Sequence, residues 1–309
     1  MLRFIIKRIL LLFPILLIVT IATFALSTIS AGDSASIVAR AEAGVASKQA
    51  VDIVKEELGL DRSYSQQYVH WLEKVIQFDL GTSYKTKRPV SDELMERFPA
   101  TLMLTVCAAG IMFAVSLILG VLAALRPNSI LDGAAKVLSF ATVSVPPFLF
   151  GLLLLYLFGV HLKIVAVVGS PETKNVWLPA ITLGISHCGP FIMLIKSNML
   201  DVMGKGYIKA ARARGVSEPM VVINHALRNA ILPALTKLGV TFGSMIGGSA
   251  VIESIFSWPG LGQLALNAIY NKDIPVLQGF MLLAATLIIL INLLVDIIYK
   301  AVDTRIKIT

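Results

Sequence analysis

DVMGKGYIKAARARGVSEPMVVINHALRNAILP, residues 201–233, lies between two long apolar segments and is dense in positive charge. Over residues 204–237 six Lys/Arg (Lys205, Lys209, Arg212, Arg214, Arg228 and Lys237) stand against one acid, Glu218. The Ala-Ala-Arg-Ala-Arg run at 210–214 is a strong helix former that stops at Gly215. Ser217 is suited to cap a second short helix, with Glu218 and Pro219 in its first turn. The stretch reads as helix–Gly–helix, too polar to enter lipid and too short to fold alone. Such a hairpin is either a loop whose charges fix topology or a handle shaped to be gripped by another protein.

The segments on either side set the class. Of the 309 residues 56% are hydrophobic and only 15% charged, with a mean hydropathy of +0.81. A soluble domain would carry roughly a quarter charged residues, so the chain reads as an all-α integral membrane protein. The net charge of +8 is not a nucleic-acid signal. Its basic residues sit in short segments beside apolar runs, where they set orientation and meet anionic membrane lipid. Cys107 and Cys188 fall in or near apolar spans and read as buried, inert thiols.

Taken in order, residues 1–30 start with Arg3, Lys7 and Arg8 and run apolar through Leu26. That run exceeds the 7–15 residues of a signal-peptide core, so a retained first transmembrane helix is expected, kinked at Pro14. Residues 31–99 form a polar, external helical region; 31–98 carry nine Lys/Arg and eleven Asp/Glu. Gln49 onward, with Ile53, Val54 and Leu58, predicts one amphipathic helix ended by Gly59. Tyr68, Trp71, Leu72, Val75 and Ile76 predict a second. Residues 100–309 form a core domain with five more spans, at about 100–125, 136–160, 178–199, 231–252 and 277–300, each long enough for the hydrocarbon core. Pro146-Pro147 and Gly189-Pro190 interrupt two of them. Gly239, Gly243 and Gly247 make a smooth ridge on another, for packing within the chain or against a partner. Base alternates between sides, which gives about six transmembrane helices with both termini cytoplasmic. The hairpin at 201–233 then lies inside, between the fourth and fifth spans.

The hairpin resembles the EAA loop of ABC-importer permeases. Ala210, Ala211 and Gly215 match that pattern's small residues, while Lys209 stands where many members carry Glu. Leu232-Pro233 closes late, after His225-Ala226-Leu227-Arg228-Asn229, as in the dipeptide/oligopeptide/nickel branch. The same branch is resembled by Leu58-Gly59-Leu60-Asp61, Asp79-Leu80-Gly81-Thr82-Ser83-Tyr84, Arg88-Pro89-Val90 and Arg97-Phe98-Pro99-Ala100-Thr101-Leu102, in that order. Glu253, Trp258, Pro259 and Gly260, with Ala268-Ile269, Asp273 and Pro275-Val276, resemble its external turn; Trp258 suits the interfacial aromatic belt. Val295-Asp296, Tyr299 and Asp303-Thr304-Arg305 resemble its C-terminal end, with Thr304 in place of the usual proline.

The resemblance implies a permease subunit in the bacterial cytoplasmic (inner) membrane, working with a second similar permease, two ATPase domains and an extracytoplasmic substrate-binding protein. It places Lys209, Ala210, Ala211, Arg212, Arg214, Gly215, His225, Arg228 and Asn229 in an ATPase-docking hairpin. It places Glu253, Trp258, Pro259 and Gly260 at an external gate. Its cargo class is peptides or nickel chelates. The chain has no Gly-x-x-x-x-Gly-Lys-Ser/Thr loop, so ATP and magnesium belong on the partner ATPases, and no cofactor is expected here. No catalytic nucleophile–base set stands out. His70, His161, His187 and His225 lack metal-ligand spacing, although His187-Cys188 beside Gly189-Pro190 remains open as a contact for a metal chelate. Asp296 and Lys196 sit near the cytoplasmic ends of spans, where snorkelling or local pairing accounts for them. The alternative function is a stand-alone channel or secondary carrier that uses the hairpin only for topology.

Overall fold

In the computed structural model the described residues are 2–30, 39, 48–57, 61–164 and 175–302. Leu58, Gly59, Leu60 and the Asp303-Thr304-Arg305 ending lie outside them. The chain is helical: α1 (Leu2–Ser30), α2 (Lys48–Glu57), α3 (Tyr64–Ile76), α4 (Val90–Leu125) and α5 (Ile130–Ser144) come first. Next is α6 (Pro147–Leu155), continued by a wider π-helical turn, Tyr156–His161. Then follow α7 (Trp177–Ser186), α8 (Cys188–Met203), α9 (Gly206–Ala213), α10 (Leu232–Ile255), α11 (Leu261–Tyr270) and α12 (Ile274–Val302). Extended pairing among the described residues is a single isolated bridge, Thr82 with Pro89.

Among the described residues three helices are long and apolar enough to cross a membrane: Val90–Leu125, Leu232–Ile255 and the stretch Ile274–Val295. Two bent pairs bring the number to five if each pair is one span. The described apolar part of the first helix, Leu12–Leu26, is shorter than the others. The bends have local causes. α5 and α6 meet at 104°, where Val145 is extended (φ −89°, ψ 121°) ahead of Pro146 and Pro147 opens the next helix. A residue before proline is pushed out of the helical region, and proline is at ease in a first turn. α7 and α8 meet at 53° around His187 (φ −103°, ψ −3°), just before Pro190, which has no N–H to give the ladder. The spans expected at 136–160 and 178–199 are therefore two-piece elements, and α4 starts ten residues earlier than its expected apolar span.

The chain divides into two compact units: Met1–Thr101 with Pro259–Leu290, and Leu102–Trp258 with Ile291–Thr309. In the first, α3 leans on α1 through the Tyr68 and Trp71 rings, 5.4 and 5.9 Å from that of Phe24. Tyr68 and Thr20 also share a 3.0 Å hydrogen bond. These are two of the residues whose spacing marks the amphipathic face. Its core gathers Val90 and Leu94 of α4 with Leu261 and Ala268 of α11 and Val276 and Leu277 of α12. The Thr101 hydroxyl caps α11 by accepting the Leu261 N–H at 2.7 Å.

In the second unit the helices meet at backbone distance. A Cβ placed on Gly184 of α7 would lie 2.6 Å from the Ala108 carbonyl of α4. On Gly189 of α8 it would lie 2.5 Å from the Ser139 carbonyl of α5, and on Gly120 of α4 2.9 Å from Ile195 Cβ of α8. The glycine ridge on α10 splits: a Cβ at Gly239 would be 2.7 Å from Val295 Cβ, so that end packs within the chain, while Gly247 has open space beside it.

Candidate functional site

The hairpin at 201–233 lies within the second unit. α8 ends at Gly204, and extended Lys205 (φ −70°, ψ 150°) turns the chain into α9. The Lys205 ammonium pairs with Asp201 at 3.1 Å. At the far end the Gly215 N–H donates to the Arg212 carbonyl at 2.9 Å, and the Val216 N–H to the Ala211 carbonyl at 3.3 Å. That pair of bonds is a Schellman closure, with the glycine left-handed at φ +78°. A Cβ there would meet nothing within 4 Å, so backbone angle, and not space, calls for glycine.

Ser217, extended (φ −62°, ψ 144°), opens the return arm with Glu218 and Pro219 in its first turn, as the sequence predicts. Its side chain makes no capping bond. Glu218 instead reaches back across the turn, accepting from Arg212 Nε at 2.5 Å and Nη2 at 3.3 Å. Both partners are well exposed (39% and 60%), so the pair contributes about 0–1 kcal/mol. The return arm then widens into a π-helical stretch, Val221–Leu227, on which α9 packs. Ile208, Ala211, Val221, Val222 and Ala226 are buried. Lys209, Ala210, Arg212, Arg214, Arg228 and Asn229 are exposed, and His225 is half-buried. Ala211 thus packs the hairpin's interior, whereas the basic residues and the apolar side chains of Tyr207, Met220 and Ile223 are presented outward.

One side-chain contact ties this hairpin to α8. Asn198 of α8 donates its side-chain amide to the Ala230 carbonyl at 3.1 Å. Half a turn earlier, Lys196 donates to the buried carboxylate of Asp132, in the first turn of α5. Asp132 also pairs with Lys136 at 3.1 Å and accepts the Asn128 N–H at 3.0 Å. Lys196 is therefore held by a partner 64 positions away, and Asp132 escaped the sequence reading because nothing local sets it apart.

Of the residues assigned to an external turn, Glu253 is fully buried on α10 and accepts the Ser249 hydroxyl at 3.0 Å. The Trp258 N–H donates to the Glu253 carbonyl at 2.7 Å, folding the chain back on the helix end. That fold buries Trp258. Pro259 is half-buried and Gly260, extended, precedes α11.

The first unit holds a polar centre built from two of the quoted motifs. Asp273, buried between α11 and α12, accepts the Ser83 hydroxyl at 2.5 Å, the Tyr84 N–H at 3.0 Å and the Lys85 N–H at 3.3 Å. Burial, and next the Asp273 charge, push the Tyr84 phenol up to about 12. Beside this centre opens a cleft of about 190 Å³ whose walls include Lys85, Arg97, Asn267 and Asn271. Among the described residues no cluster of three or more His, Cys, Asp or Glu side chains is arranged to hold a metal.

Residues 116–308 match the family model of the binding-protein-dependent transport system inner membrane component. Residues 1–105 match its N-terminal companion, the binding-protein-dependent transport system membrane component N-terminal region. Relatives include the glutathione transport system permease protein GsiC of Pectobacterium atrosepticum, 38% identical over 307 residues and 99% of each chain. The protein of the same name from Escherichia coli strain K12 is 36% identical over the same share. Among solved structures, the MetNI methionine ABC transporter in an inward-facing conformation has a chain with TM-score 0.56 at 20% identity, covering 68% of this chain and 96% of that one. An amino acid ABC transporter chain gives 0.50 at 17% identity, covering 70% and 95%. The structural likeness speaks for the fold, and the two family matches together with full-length relatives decide the rest: the chain belongs to the binding-protein-dependent transport system inner membrane components, the permease subunits of ABC importers.

Proposed function

We propose that this permease pairs with a second, similar permease and takes up small peptides, with the hairpin at 201–233 as the contact for a partner ATPase. The observation that carries the reading is the outward face of α9: Lys209, Ala210, Arg212 and Arg214 exposed on a helix whose other side is packed and whose end is closed by Gly215. A loop that served topology alone would need the charges but not the closure, the buried inner face or the Asn198 tether. The stand-alone channel or carrier gains nothing from these features. ATP and magnesium bind on the partner chains, and ATP-driven closure of the ATPase pair draws the hairpins together.

The membrane topology proposed is six spans with both termini and the hairpin cytoplasmic, which sets residues 31–99 and the turn around Glu253, Trp258, Pro259 and Gly260 outside. The external region receives the extracytoplasmic binding protein. Relatives named as glutathione permeases support a cargo of about tripeptide size; nothing in those relatives supports nickel.

The test is thiol labelling of a single cysteine at Lys209 in intact cells, alongside copurification of the ATPase with and without the Gly215→Val change. Protection from an impermeant reagent, and loss of the ATPase in the variant, are expected. Labelling from outside, or full ATPase retention and transport in Gly215→Val, would reduce the hairpin to a topology signal.

A further inference from the structure

The cleft beside Asp273 carries three acidic and three basic residues, yet their commitments are unequal. Asp273 is saturated by the Ser83 hydroxyl and two backbone N–H groups. Glu93, buried, accepts the Thr86 hydroxyl. Glu96 is paired with Arg88 at 3.1 Å. Among the described residues Lys85 and Arg97 have no such partner, and the side chains of Asn267 and Asn271 line the same opening. Asn271 already spends one amide N–H on the Asn267 carbonyl at 2.5 Å, so a formally neutral cleft presents two uncommitted cations and the Asn267 carboxamide, a set that fits a carboxylate.

We propose that this cleft is the socket for an acidic side chain of the extracytoplasmic binding protein, gripped by Lys85 and Arg97. The proposal rests on the importer reading and on the external placement of the first unit's polar region, and it names where the delivering protein holds on. Size favours a protein side chain over free cargo. At about 190 Å³ the cleft is smaller than the roughly 300–1,000 Å³ of sites that enclose small-molecule ligands. Rigidity favours it too: the Lys85 backbone is tied to Asp273 and Arg97 rises from α4, so both cations are held on fixed supports. Rim charges of this kind act mainly on association rate and specificity.

The experiment uses the complete transporter in lipid nanodiscs with its own cargo-loaded binding protein, reading ATPase stimulation against binding-protein concentration at low and high salt. For the combined K85E and R97E changes, half-saturation should rise on the order of tenfold with the maximal rate retained. The salt dependence of the wild-type transporter should flatten. The milder K85Q and R97Q pair should shift half-saturation in the same direction by less. In the K85E and R97E background, one acidic-to-lysine change on the binding protein should restore affinity. Unchanged half-saturation and salt dependence, with stimulation intact, would overturn the socket while leaving the importer reading standing. A changed response to free cargo added without binding protein would make the cleft a cargo site and overturn it too. A wild-type transporter that its binding protein fails to stimulate at all would remove the importer reading beneath it.

Discussion

Replacing Asp273 by Ala should release the loop that carries Ser83, Tyr84 and Lys85. The carboxylate accepts three hydrogen bonds, and bonds to a charged acceptor contribute about 1.5–3 kcal/mol each. These do not simply add. The amides of Tyr84 and Lys85 sit in a half-buried to exposed stretch, where water can replace the lost acceptor. The Ser83 hydroxyl is 1% exposed and would be left with its bond from the Thr86 N–H at 3.0 Å but no acceptor of its own. Leaving one buried donor unmet costs about 1–3 kcal/mol, so the net local loss should be about 3 kcal/mol, or roughly a hundredfold in opening equilibrium. Asp273→Asn keeps an acceptor oxygen but turns an N–H₂ toward other donors, and should lose about half as much. Amide hydrogen exchange in detergent micelles reads this directly, since local opening sets the rate. The Tyr84 and Lys85 amides should exchange on the order of a hundredfold faster in Asp273→Ala. Protection within threefold of wild type at both amides would show that the carboxylate does not hold the loop.

Tyr84, with its phenol pushed from 10.0 to about 12 by burial and then by Asp273, favours folding through its neutral form. That stability should be complete below pH 10 and lost as pH rises through about 12. Tyr84→Phe should abolish this step in the thermal denaturation profile, and Asp273→Asn should move it only partway down, because burial remains. Gly215→Val should strain the hairpin by about 1–3 kcal/mol, whereas Gly215→Asn, tolerant of positive φ, should retain ATPase copurification. Lys196→Met should destabilise the second unit by leaving the buried Asp132 carboxylate with only Lys136 and the Asn128 N–H, and adding Asp132→Leu should recover part of the loss, as seen in unfolding midpoints; equal stability of the single variant and wild type would refute the pairing.

Local chemistry was legible where a backbone demand coincides with a residue type. Gly215 could be read because a left-handed closure needs it, and Pro146-Pro147 because proline breaks the ladder on both sides of itself. The membrane class followed from composition, with its low share of charged residues, and from the length of the apolar runs. What escaped is what joins distant positions. Ser83 and Asp273 are 190 residues apart and Asp132 and Lys196 are 64 apart, and each looks locally like an ordinary polar residue. The π-helical stretch Val221–Leu227 also carries no compositional mark.

The glycine contacts at Gly120, Gly184 and Gly189 bear on how the permease can move. Helices slide past one another by repacking a layer of interlocking side chains, and small shears accumulate that way. Where backbone meets backbone, as α7 meets α4 and α8 meets α5, that compliant layer is missing. Sliding would drive carbonyl oxygens into α-carbons. Among these four helices the coordinate left open by these contacts is rotation of the group as a block, with flexure left to the bend at Val145, where α6 departs. A pull on the hairpin, which continues directly from α8, would be delivered to α4, α5 and α7 together, with little lost motion between input and output.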